Sequence, residues 1–213
     1  MNPLLHNRPI TMNNTASTHR DDEGAKTGMW IFIFTELLLF GGLFITYSVY
    51  RYLNPEAFHL AAQQLSTLLG TINTVILLIS SMTIAMSITA IQRKQQTLSI
   101  ILLLITELLA LIFLINKVIE WGGKIDHGIY PGSEILQQTS QGEILFFGLY
   151  FAMTGLHALH IIIGMSLIGY VIIQLKHKKI AHNDFILLEN SGLYWHLVDL
   201  IWIFLFPLFY LIT

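Results

Sequence analysis

"GMWIFIFTELLLFGGLFITYSVY", residues 28–50, runs for 23 residues with Glu36 as its single formally charged side chain. A helix rises 1.5 Å per residue, so this run is about 35 Å long, enough to cross a hydrocarbon core about 30 Å thick. It is roughly twice the length of a membrane strand and shows no alternation. Four more runs read the same way: Leu68 to Ile91, Leu98 to Asn116, Gly142 to Leu175 and Asn190 to Ile212. A helix satisfies every backbone group within its own segment, which lipid demands. The expected fold is therefore all-α, a polytopic bundle of five membrane-spanning helices. The fourth run, about 34 residues and about 50 Å as a helix, outruns the bilayer and should tilt or protrude into water.

Composition agrees. Of 213 residues, 54% are hydrophobic and 11% charged, against about 25% charged in an average soluble domain. Cysteine is absent, which removes disulfides, thiolate metal sites and cysteine nucleophiles. Residues 1–27, with Asn13, Asn14, Thr15, Ser17, Asp21, Asp22 and Glu23, form a polar tail without the apolar core of a cleavable signal peptide. Residues 28–213 are the membrane domain. No phosphate-cradling glycine loop, no serine or threonine nucleophile with its base and no basic nucleic-acid stripe is present. By itself the chain reads as a poor enzyme.

Charge sets the expected orientation. Five spans place the N-terminus and the loops Gln92 to Thr97 and Lys176 to Leu188 on one side, with Arg8, Arg20, Lys26, Arg93, Lys94, Lys176, Lys178 and Lys179. The other side carries Arg51, Lys117 and Lys124. Excess Lys and Arg mark the cytoplasmic face, so the N-terminus is expected there. The outer loop Gly122 to Gln141 is turn-rich, with Gly128, Pro131 and Gly132. Tyr47, Tyr50, Tyr52, Trp195 and Trp202 suit interfacial or packing roles.

Several ionisable groups fall inside the apolar runs. A membrane carboxylate costs roughly 2.5–3.5 kcal/mol on insertion scales, so Glu36 and Glu107 should be protonated, paired, or turned to protein or water. Each reads either as a proton-relay acid or, more plainly, as a hydrogen-bonded carboxyl inside the bundle. His157 and His160 are three apart and share a helix face, as do His196 and Asp199. Imidazoles so placed are able to bind metal or haem. A dimetal bundle needs several Glu-x-x-His steps on facing helices, which are missing here, and hydrogen bonding to helices, a partner subunit or lipid accounts for the same residues. Lys117 and Glu120 in "NKVIEW" read as an exposed i,i+3 pair and Trp121 as an interfacial anchor, the pair worth a few tenths of a kcal/mol.

Taken in order, six strings resemble subunit III of the haem-copper terminal oxidases, the cytochrome c oxidase family. They are "GMWIFIFTELLLFGGLFITYSVYR", "LGTINTVILLISSMTIAMSI", "FLINKVIEW", "GIYPG", "TGLHALHIIIG" and "LENSGLYWHLVDLIWIFLFPLFYL". They cover nearly everything after residue 24. The resemblance implies an accessory subunit with no haem, copper or catalytic residue of its own, packed on subunit I beside subunit II in a bacterial cytoplasmic membrane. It implies bound phospholipid, support of proton uptake by subunit I, and a complex that takes electrons from cytochrome c, with quinol as the alternative donor. It places lipid or subunit contacts on Glu36, His157, His160, Glu189, Trp195, His196 and Asp199. Longer relatives have seven spans, and this chain begins at what resembles their third, so extra C-terminal helices of subunit I are expected to stand in for the first two. Glu107 falls where relatives usually carry an apolar residue. A nitric-oxide-reductase-associated protein, a stand-alone proton-coupled transporter using Glu36 and Glu107, and a haem cytochrome using His157, His160 and His196 are the rival readings.

Overall fold

The computed structural model describes residues 22–177 and 185–212. Among them the chain is helical throughout, with α1 Asp22–Leu53, α2 Pro55–Ala62, α3 Thr67–Gln92, α4 Gln96–Asp126, α5 Glu134–Gln137, α6 Gln141–Lys176 and α7 Ile186–Tyr210. Five of these, α1, α3, α4, α6 and α7, are long and apolar enough to cross a membrane. This is the five-helix membrane bundle expected from the sequence. Residues 1–21 of the expected polar tail, and Lys178 and Lys179 of the basic loop, lie outside the described residues.

The boundaries are set by local chemistry. Pro55 opens α2, where its missing N–H costs nothing and its fixed φ suits the first turn. Ser66, Ser133 and Ser140 cap α3, α5 and α6 by accepting from the backbone N–H three residues on. At α6 the Ser140 hydroxyl also donates to Glu143 Oε1 (3.2 Å), which ties the cap to the third helical residue. The turn from α3 to α4 is a Schellman motif: Lys94 N–H donates to Ile91 O, Gln95 N–H donates to Ala90 O, and Lys94 takes φ 62°.

Two boundary expectations need correction. The third span does not end at Asn116 but continues as α4 to Asp126, because the polar residues beyond Asn116 pack within the protein or face water without breaking the helix. The presumed loop Gly122 to Gln141 is correspondingly shorter and contains α5. A short helix, α2, joins the first two spans; at 8 residues it is far too short to read as a span.

α6 and α7 form the centre. α1 packs on both, α4 packs on α6, and α3 packs on α4 and α7. Polar side chains stitch the ring in the manner of membrane bundles, where apolar contact alone gives helices little preference over lipid. Asn116 Nδ2 donates to Asn73 Oδ1 (2.8 Å), the Thr83 and Thr106 hydroxyls lie 2.7 Å apart, and Trp202 Nε1 donates to Thr74 Oγ1 (3.0 Å). Trp195 and Trp202 are fully buried and Tyr47 is too, so these aromatics pack inside, whereas Tyr52 is exposed. α6 and α7 approach closely at Gly164, where an added Cβ would lie 2.8 Å from the Trp195 ring. Outward, α1, α3 and α4 present large apolar side chains such as Trp30, Leu38, Met82 and Leu108. That surface suits lipid and sister polypeptides rather than water.

Candidate functional site in the bundle interior

The residues singled out from the sequence separate into three groups. The first is Glu36 of α1 with His160 of α6, 124 positions apart in sequence and 3.0 Å apart between Oε2 and Nε2. His160 Nδ1 lies 2.7 Å from the Leu156 carbonyl, which only accepts, so Nδ1 carries a proton. Nε2 is then an acceptor in neutral imidazole, and its contact with Glu36 requires one further proton, on the carboxyl or on Nε2. Either way the couple is net neutral, and that offsets the cost of an acid in lipid. Phe40 meets the imidazole edge-on at 5.5 Å and Tyr194 stacks on it at 6.5 Å. Tyr194 also donates to the His160 carbonyl (3.1 Å), which fixes α7 against α6 at the same level.

His157, one turn earlier, is not part of that couple. It is fully buried, stacked on Trp202 (5.2 Å) and edge-on to Phe113 (5.6 Å), and neither ring nitrogen has a hydrogen-bond partner. The Glu189-to-Asp199 run faces α3 and the start of α1. Glu189 Oε2 lies 3.5 Å from Lys26 Nζ, Trp195 Nε1 donates to Ser80 Oγ (3.1 Å), and His196 Nδ1 lies 2.7 Å from Ser81 Oγ. Asp199 is buried and neither carboxylate oxygen makes a hydrogen bond of normal geometry. Lys26, Trp30, Ile88, Glu189, Asn190 and His196 border a cavity of about 420 Å³. Of the seven residues expected to touch lipid or a sister subunit, His157 and Trp195 have no accessible surface, and His160 and Asp199 are buried as well.

The third group corrects the sequence reading. Lys117, Glu120 and Trp121 are not an exposed anchor. Lys117 and Glu120 are 2% and 7% exposed and form an ion pair of 2.9 Å between Nζ and Oε2. Lys117 also donates to the hydroxyls of Tyr150 (3.1 Å) and Tyr210 (3.0 Å). The Tyr210 hydroxyl donates to the Glu120 carboxylate, lying 2.7 Å from Oε1 and 2.9 Å from Oε2. The rings of Tyr150, Trp202, Tyr210 and Trp121 surround the ammonium at 4.9 to 5.9 Å. α4, α6 and α7 thus meet on one charged pair. Sequence reasoning passed over Tyr150 and Tyr210; the only local signal was two tyrosine hydroxyls within apolar runs, which need polar partners.

Chemically, these groups hold helices together and hold a proton. Among the described residues no three His, Cys, Asp or Glu side chains are placed to share a metal ion.

The sequence comparisons agree with the residue pattern. A family model described as "Cytochrome c oxidase subunit III" matches residues 5–213. The chain is 29% identical over 202 residues to "Probable quinol oxidase subunit 3" of Staphylococcus haemolyticus, covering 94% of each protein. It is 28% identical over 205 residues to the protein of the same name from Staphylococcus saprophyticus, covering 94% of this chain and 97% of that one. It is also 28% identical over 194 residues to "Heme-copper oxidase subunit I+III" of Aeropyrum pernix, covering 88% of this chain and 22% of that longer protein. With the match spanning nearly the whole chain and the bundle built as described, this protein belongs to the cytochrome c oxidase subunit III family.

Proposed function

We propose that the chain is the non-catalytic accessory subunit of a respiratory haem-copper oxidase in a bacterial cytoplasmic membrane, with its N-terminus cytoplasmic. The observation that carries this reading is the family match over residues 5–213, joined to an interior in which membrane-embedded charges pair with each other, as in Glu36 with His160 and Lys117 with Glu120. Such couples fasten helices. Haem and copper, and the reduction of oxygen, belong on this reading to partner subunits I and II. Packing on subunit I draws support from the Aeropyrum relative, whose name joins I and III in one polypeptide. Phospholipid held against α1 and α7, and support of proton uptake by subunit I, complete the proposal.

Cytochrome c as electron donor follows the name of the matched family. Quinol is the second reading, favoured by the names of the two staphylococcal relatives. Turnover of the purified complex with reduced cytochrome c against a quinol distinguishes the two.

The accessory role is tested in the same complex with Glu36→Ala and His160→Ala. The expected result is an unchanged haem spectrum with weaker assembly, lower phospholipid content or shorter survival under turnover. Loss of a haem or copper signal from fully assembled complexes would refute it.

A further inference from the structure

Two membrane acids have no ion-pair partner among the described residues. Asp199 is enclosed beside α3, whereas Glu107 lies at the outer seam of α4 and α6 and is half-buried. Glu107 is the central residue of the apolar run 98–116, so its carboxyl sits near mid-membrane. Oε1 rests against the backbone of Gly169 in α6, where an added Cβ would be 4.0 Å away, and the Gly169 backbone is the polar group the carboxyl meets there. Among the described residues no basic side chain forms an ion pair with it. One turn to either side on α4, Leu104 and Leu111 are 49% and 46% exposed, and across the seam Tyr170 and Ile173 of α6 are about half exposed. The neighbouring Tyr170 hydroxyl accepts from Gln174 Nε2. The surface is thus apolar with one carboxyl set into it, and that carboxyl has the Gly169 backbone beside it but no cationic side chain.

We propose that the α4–α6 seam at Glu107 docks a transmembrane helix of another polypeptide, which presents a lysine or arginine at the depth of Glu107. Opposite charge is the complement that offsets a carboxylate's cost in lipid, and intramembrane acids pair with basic side chains for this reason. The surrounding leucines and Ile173 match an apolar helix on either side of that contact, much as small and polar groups set helix pairing elsewhere in membranes.

The test uses native membranes, so it reads the contact whatever the partner's identity. A photoreactive amino acid is placed at Leu111 and illuminated, and adducts are identified by mass spectrometry. The expected product links this chain to a polypeptide segment with Lys or Arg within one helical turn of the linked residue. Its yield should fall at least threefold in Glu107→Leu and in Glu107→Gln, and less than threefold in Glu107→Asp. Should Glu107→Leu fail to accumulate, the isosteric Glu107→Gln gives the reading. Adducts with lipid alone, a linked segment without a nearby cation, or a polypeptide adduct whose yield Glu107→Gln leaves unchanged would each overturn the proposal.

Discussion

Removing one member of the Lys117–Glu120 pair should be among the most damaging single changes available in this protein. In Lys117→Met the carboxylate of Glu120 remains 7% exposed and keeps Tyr210 as its donor, while the 2.9 Å ammonium contact is gone. The hydroxyls of Tyr150 and Tyr210 lose a donor at the same time. Breaking a buried pair from one side costs about 3–5 kcal/mol, because the survivor stays charged and uncompensated. Lys117→Met with Glu120→Gln removes both charges, and the glutamine still accepts from Tyr210. The double variant should therefore cost far less than the summed singles, by about 2 kcal/mol or more of coupling. Reversible unfolding in mixed micelles, followed by tryptophan fluorescence from Trp121 and Trp202 beside the pair, measures all four species. Single costs below about 1 kcal/mol, or strict additivity, would show that the pair is not a shared buried couple.

Three further outcomes follow from packing and backbone geometry. Gly164→Ala forces a Cβ against Cε3 and Cζ3 of the Trp195 indole and should destabilise by about 1–3 kcal/mol as overpacking; thermal unfolding in detergent reads this. Lys94→Gly relieves a side chain held at φ 62° and should raise stability by about 1 kcal/mol, visible as a higher melting temperature. Ser140→Ala removes the cap of α6 and its link to Glu143 and should cost about 1 kcal/mol, whereas Ser140→Asp should retain most of the stability.

The five membrane helices were legible because hydrophobic length is a local property. Any window of about 20 apolar residues announces itself. Their ends were less so: α4 outlasts its apolar run by ten residues, and nothing within "NKVIEWGGKID" says whether the polar groups face water or protein. That depended on Tyr150 and Tyr210, 33 and 93 residues from Lys117, which a linear reading does not bring near. Glu36 and His160 show the same division. Both stood out as costly residues in lipid, yet their meeting across 124 residues is a property of how α1 leans on α6. His157 looked identical to His160 in sequence and differs in the fold by one helical turn, which points it at Trp202 and Phe113 rather than at Glu36.

The separation between Glu36 and His160 also bears on how the chain is made. α1 leaves the ribosome long before α6, so for most of synthesis the acid has no imidazole to share its hydrogen with. An insertion machine must accept this first helix while Glu36 is either neutralised by solvent-derived hydrogen or sheltered in a wet channel. The contact that offsets the cost of Glu36 in lipid is completed only once α6, the fourth long helix, is in place.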